Sequence, residues 1–75
     1  MPMPDEATAA RAWRQALKRL LAIEACWDDL AARRRALLEC RHWLEAQTAV
    51  PRLCQLARLV DPEADRARLT SVLVP

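Results

Sequence analysis

Glycine is absent from this chain, as are phenylalanine and tyrosine. Tight turns with positive φ, and loops whose backbone closes on a phosphate, normally need glycine, so phosphate-binding loops and dinucleotide fingerprints are excluded. Strand formers are scarce: Ile23 is the lone isoleucine, and valine occurs only at positions 50, 60, 72 and 74. Alanine, leucine, arginine and glutamate dominate instead, and these favour helix. The expected fold is all-α, a small helical bundle.

Other shortages narrow the setting. The cysteines, Cys26, Cys40 and Cys54, are odd in number, and the start of the chain has neither a basic lead nor an apolar run. A secreted disulfide framework is therefore not expected, and a reducing cytoplasm fits better. No stretch approaches the roughly 20 apolar residues of a membrane span. Charge of one sign is also lacking, since twelve basic residues are interspersed with ten acidic ones for a net +2. That balance does not call for a nucleic-acid partner. Arginine outnumbers lysine eleven to one, a bias expected of a GC-rich bacterial genome or one of its phages.

What is present is helical periodicity. Trp13, Ala16, Leu17, Leu20, Ile23 and Trp27 recur at spacings of three and four, with Arg11, Arg14, Gln15 and Lys18 on the opposite side. Near Glu24 that stripe falters. Asp28 and Asp29 then offer a capping carboxylate before a second run, in which Leu30, Leu37 and Leu44 keep heptad spacing and Ala36, Cys40 and Trp43 widen the face. Arg33 lies within that face, with Asp29 one turn earlier as an ion-pair partner. Two long helices follow, about 4–26 and 29–47.

Thr48 is placed to cap a third helix, about 49–60, with Pro51 in its first turn. Asp61-Pro62-Glu63 reads as the start of a fourth, about 62–73, because it sets a carboxylate, a proline and an acid in the order of a helix start. The expected organisation is one domain over 1–75, a hairpin of two long amphipathic helices followed by two short ones. The segment from Leu37 to Pro62 loosely resembles one tetratricopeptide unit through Ala57 and Pro62, and lacks most of that signature. Cys26, Cys40 and Cys54 fall fourteen residues apart, but intervening positions do not keep the period.

Chemistry-bearing residues do not assemble into a site. The three cysteines and His42 lack the close spacing that puts two ligands on one metal, so no metal or cofactor is expected. His42 and Ser71, the single histidine and serine, stand far apart with no nucleophile context. An enzyme is not expected. Arg33, Arg34 and Arg35 form the densest basic cluster, but three consecutive helical residues fan over about 200° and do not make one stripe.

The tryptophans, Trp13, Trp27 and Trp43, are all the aromatics present, a large apolar area for so small a core. A chain this short has little stability to spare, and association offsets that deficit. The expectation is a non-enzymatic protein-interaction module that homodimerises or lays its long-helix seam on a larger partner. An adaptor, a secretion-type chaperone or a phage-encoded inhibitor of a host complex would all fit. Trp13, Leu17, Leu20, Trp27, Leu37 and Trp43 would form the contact, with Arg34, Arg35 and Arg41 at its rim. The alternative is a small helical nucleic-acid-binding regulator that uses Arg33, Arg34, Arg35 and Arg41.

Overall fold

A computed structural model describes residues 6–73. It contains four helices, α1 Glu6–Ala25, α2 Leu30–Glu45, α3 Pro51–Leu56 and α4 Arg66–Leu73. Among the described residues there is no strand. The molecule measures 41 by 18 by 16 Å, and its longest helix, α1, runs about 30 Å at 1.5 Å per residue.

The break near Glu24 is real, and the way it is made follows from the missing glycine. Among the described residues none has a positive φ. The chain turns instead through short-range backbone bonds: Trp27 N–H donates to the Glu24 carbonyl at 3.3 Å, and Asp29 N–H to the Cys26 carbonyl at 3.1 Å. Asp29 then caps α2, its carboxylate accepting from Ala32 N–H at 3.1 Å. That commitment leaves Arg33 to another partner. Its guanidinium lies 4.7 Å from the centroid of the Trp27 ring and donates to the Trp27 carbonyl at 3.4 Å, in place of the expected ion pair with Asp29.

Two helix starts differ from the sequence reading. Thr48 does not cap α3; Val50 occupies that position without a side-chain bond, its own side chain buried. Pro51 does take the first helical position, where its missing N–H costs nothing. At the fourth helix, Asp61 spends its carboxylate on Glu63 N–H at 2.8 Å, which closes a local turn, and Asp65 accepts from Arg68 N–H at 2.6 Å. Asp65 therefore starts the helix, and α4 begins at Arg66 and not at 62. The third helix ends at Leu56, and the N–H groups of residues 57–59 each donate three residues back in tighter turns.

One core joins these elements. Ala16, Leu20 and Ile23 of α1, Trp27 in the turn, and Leu37, Cys40 and Leu44 of α2 pack with Val50, Leu53, Ala57, Val60, Ala64 and Leu69. Helix α1 touches α2 and α4, and α3 packs on α2. Leu30, placed on the heptad seam by its spacing, is exposed, because it opens α2 beyond the reach of the core. Glu24, which interrupts the apolar stripe of α1, meets Arg66 at 3.1 Å. The blemish in the first pattern is thus a tie to the last helix.

Candidate functional site

Of the nine residues expected to touch a partner, Leu20 and Leu37 are fully buried and Trp27 is buried. What covers them is the chain itself, through Leu53, Ala57, Val60, Ala64 and Leu69. The short helices contribute Leu53 and Leu69, and the segment between them adds Ala57, Val60 and Ala64 at regular intervals, which together close the seam. Trp13 and Trp43 are half-buried against the same core. Leu17 faces outward.

Each indole carries an arginine. Arg52 of α3 lies 5.5 Å from the Trp13 ring centroid, Arg19 of α1 lies 4.8 Å from that of Trp43, and Arg33 covers Trp27. Such stacks contribute about 0.5–1 kcal/mol when exposed. Here they also bridge elements, α3 to α1, α1 to α2, and α2 to the turn. The exposed side of each tryptophan is thereby partly occupied, and none stands as a bare anchor.

The arginine cluster disperses as its helical spacing requires. Arg33 turns inward to Trp27, Arg34 reaches Glu63 at 3.7 Å, and Arg35 is exposed. Arg41 is paired with Glu45 at 3.0 Å, one turn along α2. In α4, Arg66 is held by Glu24 and Arg68 approaches Asp61 at 3.9 Å. These residues do not converge on a common phosphate-sized target.

Nor do the nucleophiles and acids. The Ser71 hydroxyl donates to the Arg68 carbonyl at 2.7 Å, an internal bond of α4. His42 is well exposed, with the Glu45 carboxylate 4.0 Å away. Among the described residues no three His, Cys, Asp or Glu side chains gather where a metal could sit. All three cysteines are free. Burial pushes the Cys40 thiol up to about 11, against a smaller downward pull from Arg19, which keeps it protonated and unreactive at neutral pH. A shallow groove lined by Thr48, Pro51, Cys54, Gln55 and Arg58 brings together no acid and base.

The sequence reading passed over Leu21, Leu38 and Leu59. With Leu17 and Leu30 they are large side chains in solvent, Leu21 the most open at 57%. On α1, Leu17 and Leu21 lie one turn apart beside Arg11, Arg14 and Lys18, all three exposed and none with an ion-pair partner among the described residues. A detectable signal existed: between Glu6 and Glu24 the chain has no acid at all. Compared with family models, curated proteins and solved structures, the chain matches none. Among the described residues no helix is long and apolar enough to cross a membrane.

Proposed function

We propose that this chain is a non-enzymatic protein-interaction module, an α-helical hairpin with two short helices packed on it, and that it binds with the outer faces of its long helices. The observation that carries this reading is the set of exposed leucines, Leu17, Leu21, Leu30, Leu38 and Leu59, on a chain of only 75 residues. Single exposed leucines are ordinary on protein surfaces. Here four of the five lie on α1 and α2, interleaved with arginine, the residue most enriched with tryptophan at interface hot spots. The interior seam supplies the rigid scaffold, and the contact moves from Leu20, Trp27 and Leu37 to Leu17 and its exposed neighbours, with Arg34 and Arg35 nearby. Adaptor, chaperone and inhibitor roles all use such a surface.

The test pairs oligomeric state with capture. Size exclusion with light scattering decides whether the chain associates with itself. Retention of a protein partner at high salt by the native chain, lost in a Leu21→Ser/Leu38→Ser variant that stays folded, is the outcome expected. Binding to duplex DNA or RNA that weakens steeply with salt, and that is lost with Arg34 and Arg35, would instead favour the nucleic-acid regulator.

A further inference from the structure

We infer that the outer face of α1, formed by Arg11, Arg14, Leu17, Lys18 and Leu21, docks an acidic amphipathic segment of another protein. The inference rests on the interaction-module reading and narrows it to one face and one partner chemistry. On a helix Arg11, Arg14, Lys18 and Leu21 follow at intervals of three and four, and Leu17 meets Arg14 and Leu21 at the same intervals, so the five form a continuous strip about 15 Å long. Its three cations have no acid or ring beside them, a state shared among the described residues outside the strip only by Arg35 and Arg58. Arg19, Arg33 and Arg52 cover tryptophans, and Arg34, Arg41, Arg66 and Arg68 have acids beside them. The strip gathers three such cations and two exposed leucines on one helix face, whereas Arg35 and Arg58 stand singly beside Leu38 and Leu59.

Charge complementarity selects the occupant. A second copy docking by the same face would set Arg14 and Lys18 against their like, with no acid on the strip to relieve them. A head-to-tail copy offers its free acids only singly, since Glu6, Asp28 and Glu39 lie on α1, the turn and α2, while Asp29 and Asp65 cap helices and Glu24, Glu45 and Glu63 face arginines. Phosphate backbones would satisfy the cations and leave Leu17 and Leu21 in water. A bilayer would take the leucines, but a surface-lying helix needs a broad apolar face, and that of α1 is turned inward through Ala16, Leu20 and Ile23. A helix bearing a leucine row flanked by carboxylates satisfies both halves of the strip, in the manner of helix-in-groove recognition.

The experiment uses the whole chain and a synthetic helical peptide of leucine, alanine and glutamate with carboxylates flanking a leucine row. Binding is followed by fluorescence anisotropy, and the contact is mapped by amide chemical shifts. Lys18→Glu is expected to weaken binding about tenfold, and Arg14→Glu with Lys18→Glu to transfer preference to the lysine-for-glutamate peptide. Leu21→Ser should weaken it at high salt as well, whereas Arg58→Glu, equal in charge change and off the long helices, should leave it alone. All these positions are exposed, and circular dichroism verifies that each variant folds. No binding of the acidic peptide, or equal loss from Arg58→Glu, overturns the inference. Shifts confined to Leu30 and Leu38 on α2 overturn it while leaving the interaction-module reading intact. Tighter binding to duplex DNA or to anionic vesicles than to the peptide overturns both.

Discussion

In α1 and α2 the buried residues recur every three or four positions because the backbone is helical throughout, as Ala16, Leu20 and Ile23 and then Leu37, Cys40 and Leu44 show. From Val50 onward the same spacing persists, Val50, Leu53, Ala57, Val60 and Ala64, although regular helix ends at Leu56. The first region is shaped by helix propagation and the second by what its side chains must reach. An amphipathic helix has its hydrogen bonds before it finds a partner; a chain of short turns is held in shape mainly by burial. The second region should therefore open first, and native-state hydrogen exchange would show it.

The largest expected effect comes from breaking the seam on which both regions close. Leu37 is fully buried. Leu37→Asp forfeits roughly 1.5–3 kcal/mol of burial and adds the cost of desolvating a charge, several kcal/mol in all. Arg35→Asp, exposed two residues earlier on the same helix, should change folding by less than about 0.5 kcal/mol. Chemical denaturation followed by circular dichroism separates the two. Comparable losses would mean that the seam is not the shared support.

Next in size is a pH effect at Cys40, which sits in the same seam. Its thiol is raised from 9.0 to about 11, chiefly because burial disfavours the thiolate. The folded chain keeps this proton after the unfolded chain has lost it. The associated stability is fully present below about pH 9 and disappears as pH climbs through about 11, by no more than roughly 3 kcal/mol. Alkaline unfolding monitored by thiolate absorbance should show this limb, and Cys40→Ala, weaker at neutral pH through its cavity, should lack it. The half-buried Cys26 and Cys54 should react with a thiol reagent well before Cys40.

The helix starts sharpen the comparison at about 1 kcal/mol each. Asp29→Ala and Asp65→Ala remove carboxylates that accept backbone N–H groups of α2 and α4, and each should lower stability by about that amount. Asp61→Ala opens a local turn and removes a long approach to Arg68, and should cost less, and Thr48→Ala should be silent. If Asp61 proved as costly as Asp65, the fourth helix would begin earlier in solution.

These starts also mark how far the sequence could be read. The all-α fold and the long helices with their break were legible, since composition and periodicity act locally. The choice between Asp61 and Asp65 was not: both are capping residues, and Asp61 followed by Pro62 is the stronger local pattern. What decides is that Val60, Ala64 and Leu69 must all reach the core, a tertiary demand. The site was harder still. Counting apolar residues placed Leu20 and Leu37 on a seam without saying what would cover it, and small residues at regular intervals, such as Ala57 and Ala64, were undervalued as cover. The exposed leucines escaped because Leu21 and Leu38 fall off the main stripes.

The smallest expected effect lies where the two regions are tied by charge. Glu24 and Arg66 are 3.1 Å apart, with side chains 32% and 56% exposed, and a pair in that setting is worth at most about 1 kcal/mol after solvent screening. One carboxylate oxygen, Oε2, is buried without a hydrogen-bond partner, which subtracts from the gain. Glu24→Gln retains an acceptor for Arg66 and should change stability by a few tenths of a kcal/mol. Glu24→Leu continues the stripe of α1 and removes the desolvated oxygen, while Arg66 can return to water; it should be neutral or stabilising. A double-mutant cycle with Arg66→Ala measures the coupling directly. A coupling well above 1 kcal/mol, with Glu24→Leu destabilising, would make the ion pair and not Leu69 the anchor of α4, and the second region would then depend on charge as well as on burial.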